Sequence, residues 1–323
     1  MIKEAAEKTA KGVGNQLREE ITIVSVGRHT RLGDVLERAV RKHKIETVEP
    51  AELSGADWSG RRILFAVSCG EGENAELSAL IRRLKNGECD LTNSVCSAVL
   101  DAGENASAHT DLLRLLLAAN GAGAWILSKP CVEASRDLKN IPAMYGAGRG
   151  SLYERYCALG EMLAARLSAF DLAGLAPEEP ENETAENRAN RVRIALPLEN
   201  AAAARDWQSA LTREFVFRGM EPVEAENDPA EHTFLLCENT SGLPDAKTLV
   251  VLDDLRGGGL RVAVASPHIG AELFALLVLD RACLQGSFTL EPKAFTLLEG
   301  VSAQEAFAGK AEFERVKKAI AEK

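Results

Sequence analysis

Hydrophobic and polar positions alternate in a repeating order through the first half of the chain. The run Ile21-Thr22-Ile23-Val24-Ser25-Val26 predicts a strand, and a helical pattern follows it. The short Ile45-Glu46-Thr47-Val48 comes next, then Arg62 to Ser68 with a helix behind it. Val95 to Leu100, another helix, the strand Ala124 to Leu127 and a last helix close the series. Apolar runs of strand length alternating with helical periodicity predict βαβ units and a parallel sheet. In such a sheet ligands sit beyond the carboxyl ends of the strands, where the strand order reverses. Leu64, Phe65, Val67, Val99 and Ile126 are the predicted core of its central strands.

The pattern then breaks and restarts. Pro177 to Asn187 contains two prolines and a run of glutamates with no apolar periodicity, which is linker composition. It divides the chain into a first unit over residues 1–176, a linker over 177–189 and a second, smaller α/β unit over 190–323. Residues 1–20 form a weak amphipathic pattern broken by Gly12 and Gly14, suited to capping the sheet or meeting a second copy in a homo-oligomer. In the second unit, Val192 to Leu196 and Thr233 to Cys237 read as strands, and Ala201 to Phe217 as a helix with Trp207, Leu211 and Phe215 on one face. Thr248 to Leu252 and Leu260 to Ala265 read as two strands joined as a hairpin through Gly257-Gly258-Gly259. Gly270 to Cys283 is a largely apolar helix, and Ser302 to Ala321 a final one.

Composition narrows the partners. The net charge of −10 disfavours non-specific nucleic-acid binding and anionic membrane surfaces, both of which need basic surface. Seven scattered cysteines with no C-x-x-C pair predict buried thiols in a reducing compartment. The N-terminus has no apolar core like that of a signal peptide. The longest apolar candidate, Ile269 to Leu284, is interrupted by Glu272, Asp280 and Arg281. The expectation is a cytoplasmic protein with a small-molecule ligand and neither a nucleic acid nor a membrane as partner.

Five strands with intervening helices between about Ile21 and Phe170 resemble the flavodoxin-like fold, a doubly wound parallel sheet. Within that superfamily, Ser25-Val26-Gly27-Arg28-His29-Thr30-Arg31-Leu32 is distantly similar to the first loop of NAD(P)H-dependent FMN reductases. The resemblance implies FMN as cofactor and hydride transfer from NAD(P)H to a small acceptor. It implies that Ser25, Gly27, Arg28, His29, Thr30 and Arg31 hold the phosphate, which a helix N-terminus favours through its free N–H groups and dipole. Gly70, Gly72 and Asn74, after the third strand, would then lie by the flavin ring or ribityl chain. Two rival readings stand beside it. One is a cofactor-free binding or assembly module, because the loop has few hydroxyls and the chain few aromatics. The other is a two-domain α/β enzyme that binds an anionic small molecule in the cleft between its units, with the loops at Arg28 and His268 facing each other.

Other candidates have a structural and a chemical reading. His109 stands between Asp101 and Asp111 in sequence, a set with the residue types of an oriented general base, yet Thr110-Asp111 is also an ordinary helix start. Cys69 ends the third strand, as a nucleophile or as a buried thiol. In Ser128-Lys129-Pro130-Cys131, Lys129 could pair with an anionic ligand, or the segment is a turn before proline. Asn120 to Gly123 reads as a helix end with a tight turn. Gly146 to Ser151 reads as a loop before a helix near Leu152. Ser266-Pro267-His268-Ile269-Gly270 reads as a helix start with Ser266 as cap. No metalloprotease, serine-hydrolase, phosphate-loop or calcium-loop signature is present.

Overall fold

The computed structural model describes residues 21–27, 31–40, 43, 45–53, 58–69, 74–103, 105, 107–146, 148–172, 191–223, 230, 232–254, 258–267, 270–286 and 288–321. Residues 1–20 and the predicted linker 177–189 lie outside these.

The first half runs β1 (Ile21–Val26), α1 (Arg31–Val40), β2 (Ile45–Val48), a 3-10 turn (Pro50–Leu53), β3 (Arg62–Ser68), α2 (Ala75–Lys85), β4 (Val95–Gly103), α3 (Ala108–Gly121), β5 (Trp125–Ser135), α4 (Asn140–Tyr145) and α5 (Leu152–Ser168). The second runs β6 (Arg191–Ala195), α6 (Ala201–Phe217), β7 (Glu221–Val223), β8 (His232–Glu238), α7 (Ala246–Asp254), β9 (Gly259–Ser266), α8 (Ala271–Leu279), a π-helical segment (Asp280–Gln285), β10 (Thr289–Glu299), α9 (Ala303–Ala308) and α10 (Lys310–Ala321). The described strands form one sheet in the order β2-β1-β3-β4-β5-β10-β9-β8-β6-β7. Every neighbouring pair is parallel except β5 and β10, which are antiparallel with Ile126 opposite Leu290.

That order makes the second half a topological copy of the first, each element matched by the one five places later. The two copies meet about a pseudo-twofold axis between Ile126 and Leu290. Each copy has the 2-1-3-4-5 order compatible with a flavodoxin-like sheet. The likeness extends to an irregularity. Between Cys96 and Ala98 of β4, β5 advances from Ile126 to Cys131; between Leu260 and Val262 of β9, β10 advances from Leu290 to Phe295. Both bulges hold a lysine in the left-handed region, Lys129 at φ 47 and Lys293 at φ 51. They also explain how Pro130 and Pro292 are tolerated in strands, since a bulge needs no ladder hydrogen bond there.

The central strands are covered on both faces, and Leu64, Phe65, Val67, Val99 and Ile126 are all buried. One face carries a single core across both halves, with Leu80 and Leu116 under α2 and α3 and Leu252 and Phe274 under α7 and α8. The opposite face has two cores, one around Val35, Tyr156 and Leu163, the other around Trp207, Phe215 and Val316. Asn120 stitches the halves together: its buried amide donates to the carbonyls of Ala124 (2.9 Å) and Glu291 (2.7 Å) and accepts from the Ala294 N–H (2.9 Å).

Several sequence expectations are corrected. Thr248 to Leu252 is helical, not a strand, because the Asp245 carboxylate caps the Thr248 N–H (2.7 Å) and Leu252 packs inward. The predicted hairpin is therefore a parallel crossover. Helix α8 starts at Ala271 behind Gly270, not at Pro267; Ser266 ends β9 and accepts from Asn239 (3.0 Å). Strand β5 continues to Ser135, β10 is an additional strand, and the last helix breaks at Gly309.

Candidate functional site

The first loop shows what its described residues do. Ser25 is half-buried in β1. Gly27 turns the chain at φ 80, and a Cβ there would collide with the Ser68 carbonyl oxygen. Its N–H donates to the Glu76 carboxylate (2.9 Å). Asn74 caps α2 by accepting from the Leu77 N–H (3.0 Å) and donates to the Ser68 carbonyl (2.9 Å), so it and Gly27 meet at the ends of β1 and β3. Arg31 makes a two-pronged ion pair with Asp101, including Nε to Oδ2 at 3.0 Å, and donates Nη1 to the carbonyls of Ser135 (3.2 Å) and Arg136 (2.6 Å). The Asp101 carboxylate raises the guanidinium pKa further. Arg28, His29, Thr30, Gly70, Gly72 and His268 lie outside the described residues.

A cavity of about 680 Å³ opens elsewhere, where the halves meet. Lys129, Cys131 and Val132 of β5 line it, with Tyr145 from α4, Leu159 and Arg166 from α5, and Asp280, Leu284 and Gln285 from the π-helical segment. Its size suits a small organic molecule. The β5 bulge, with Lys129 and Cys131, forms part of its wall. Pairing between β5 and β10 is confined to Ile126 and Leu290, and the π-helical segment packs along β5 instead. A π turn inserted after an α-helix is a recurrent feature of functional sites. Here it lets the second half contribute Asp280 and Gln285 to a site otherwise built by the first.

One end of the cavity is basic. Arg166 donates to the carbonyls of Ser128 and Lys129 (3.2 Å to the latter) and to the Ser128 hydroxyl (3.1 Å). These bonds brace the bulge that carries Lys129. Arg166 is half-buried and has no carboxylate partner among the described residues, and burial lowers its pKa.

The other end is acidic. His109 Nδ1 lies 2.8 Å from Glu133, and Nε2 lies 3.5 Å from Asp280. The carboxylates approach opposite ring nitrogens, so one metal ion could not take all three; among the described residues no metal-binding cluster occurs. Asp280 and then Glu133 outweigh burial and raise the His109 pKa from 6.5 to about 10. The imidazolium is therefore charged at neutral pH. Its contribution to stability is complete below pH 6.5 and is lost as the pH rises through about 10. His109→Gln is expected to flatten the stability profile over that interval. Denaturant melts of both proteins across it check this, and an unchanged profile would show that the carboxylates do not hold the proton.

The orienting carboxylates for His109 are thus Glu133 and Asp280, not the Asp101 and Asp111 that adjoin it in sequence. Cys69 is buried, and burial with nearby Asp111, Asp101 and Glu133 raises its thiol pKa to about 11, which suits a core thiol rather than a nucleophile. The Ser128 hydroxyl is engaged by Arg166. Sequence reasoning singled out Lys129 but missed Arg166, Glu133 and Gln285. Asp280 had a signal, as a charge inside the apolar Ile269–Leu284 segment.

Among the described residues no helix is long and apolar enough to cross a membrane. No protein family matches the chain, and neither a curated protein nor a solved structure does.

Proposed function

We propose that the protein binds a small organic acid with an apolar body in the cavity between its halves. The ligand remains an anionic small molecule between two α/β units, but its anion contacts move from the loops at Arg28 and His268 to Lys129 and Arg166. The observation that carries it is Arg166, a half-buried guanidinium at a cavity wall with no carboxylate partner among the described residues. A charge in that position is costly unless something compensates it, and a ligand carboxylate would do so. Val132, Leu159, Leu163 and Leu284 supply apolar walls, and the half-exposed Met144 and Met162 offer adaptable thioethers at the rim. At the first loop, by contrast, the Gly27 N–H and the Arg31 guanidinium already serve Glu76 and Asp101.

Isothermal titration with octanoate and octan-1-ol tests this reading. Octanoate is expected to bind at least about tenfold more tightly, a difference of about 1.4 kcal/mol. Arg166→Gln should remove most of that difference, as should Lys129→Gln, which leaves the bulge contacts of Arg166 in place. Equal affinity for acid and alcohol, or no binding of either, sinks the proposal. Saturable binding of FMN, read by absorbance between about 350 and 500 nm, would move the function to the first loop and the flavin reading.

A further inference from the structure

The cavity has two polar ends of opposite sign. Lys129 and Arg166 bring two positive charges to one. At the other, an imidazolium stands between two carboxylates, leaving one net negative charge. Glu133 lies four positions along β5 from Lys129, at most roughly 13 Å of strand, and less across a bulge. Between them the walls are apolar. In a site partly shielded from water, such a field aligns a ligand that carries opposite charges at its two ends.

The acidic end also has unfilled hydrogen-bonding capacity. Asp280 Oδ2 accepts from the Gln285 amide (2.8 Å), while Oδ1 meets the His109 Nε2 only at 3.5 Å, longer than a good hydrogen bond. A carboxylate offers about four acceptor sites, so Asp280 keeps room for a further donor. Asp280 is half-buried and lines the cavity, as does Tyr145, whose hydroxyl accepts from the Glu133 N–H (2.8 Å) and retains its own proton to donate. An anionic group would meet net repulsion here, and an alkyl terminus would strand the free acceptor.

Resting on the organic-acid reading above, we propose that the occupant is dipolar: a chain with a carboxylate at the Lys129 and Arg166 end and a primary ammonium against Asp280. The class is that of amino acids whose two charged groups are separated by a long apolar spacer. The spacer length is part of the proposal, because the ligand's two charged groups must bridge the apolar lining that includes Val132, Leu159 and Leu163.

Titration of the full-length protein with octanoate, 8-aminooctanoate, butanoate and 4-aminobutanoate tests it. The amino group is expected to tighten binding of the eight-carbon acid about tenfold, a gain of about 1.4 kcal/mol, and to give no gain in the four-carbon pair. Asp280→Asn should abolish the eight-carbon gain, so that octanoate and 8-aminooctanoate bind the variant alike. If octanoate binds and the amino group adds nothing, the dipolar ligand is wrong while the organic-acid reading stands. If Asp280→Asn weakens both acids equally, Asp280 shapes the cavity and does not seat an ammonium, and the proposal is likewise overturned. Failure of every acid to bind overturns both readings together. The wild-type comparison of ligands depends on no variant folding.

Discussion

Glu291→Ala is expected to destabilise the protein by about 3–5 kcal/mol, the cost of breaking a buried ion network from one side. Glu291 is buried in the β10 bulge, one residue after the Leu290 that meets Ile126 at the pseudo-twofold axis. It accepts from His232 Nδ1 (2.6 Å) and Arg261 Nε (2.5 Å), and its backbone carbonyl takes the Asn120 amide. Burial pushes its pKa up, but His232 and Arg261 together prevail and hold it below the ordinary carboxylate value. Removing the carboxylate takes the Glu291 partner from the half-buried Arg261 guanidinium on the interior strand β9. The same packing explains Gly259, where a Cβ would collide with the Glu291 carboxylate. Because the folded pKa is depressed, the contribution is present above pH 4.5 and lost as the pH falls through the folded value. Denaturant unfolding at neutral pH should show the full loss, and the wild-type and variant stabilities should draw together in acid. A loss under about 1 kcal/mol would mean the network is solvated and worth no more than a surface pair.

Legibility followed burial and local chemistry. Strands β1, β3 and β4, and β8 and β9, are near-continuous apolar runs, because a central parallel strand is covered on both faces, and such runs stand out in any sequence. Trp207, Leu211 and Phe215 carried the helical period of α6 for the same reason. Strand β10 was not legible, since Glu291, Pro292 and Lys293 interrupt its pattern: the bulge that joins the halves is polar because it carries the Glu291 network. Thr248 to Leu252 misled because a β-branched run of strand length cannot be told from a short buried helix by periodicity alone. The cavity was the least legible part. Lys129 was visible because a lysine beside a proline after a strand is unusual. Arg166 is one arginine on an amphipathic helix, and nothing in its neighbours distinguishes it from a solvent-facing charge. The partnership of His109 with Glu133 and Asp280 spans 24 and 171 residues of sequence and depends on a π turn, a backbone choice that leaves no compositional mark.

Arg31→Ala separates the structural role of the first loop from its ligand-binding role, and it too is expected to cost about 3–5 kcal/mol. Asp101 is buried at the end of β4 and its carboxylate oxygens take the Arg31 guanidinium on both sides. Without that cation it retains, among the described residues, only a weak contact from the Gly103 N–H (3.3 Å) within its own strand. Arg31 also ties the carbonyls of Ser135 and Arg136, so its loss frees the end of β5 from α1. The damage should be to stability alone. Arg31→Met with Asp101→Leu, which removes both charges, should recover much of the loss, since a buried pair replaced by apolar groups is often neutral. Octanoate affinity, measured below the unfolding transition, should stay within about twofold of the wild type. The opposite pattern would assign the residue differently. If Arg31→Ala is as stable as the wild type but binds FMN or inorganic phosphate at least about tenfold more weakly than the wild type does, the guanidinium is a ligand contact. The site implied by the flavin-reductase resemblance would then be the functional one, and the Asp101 pair only the resting place of an arginine waiting for an anion.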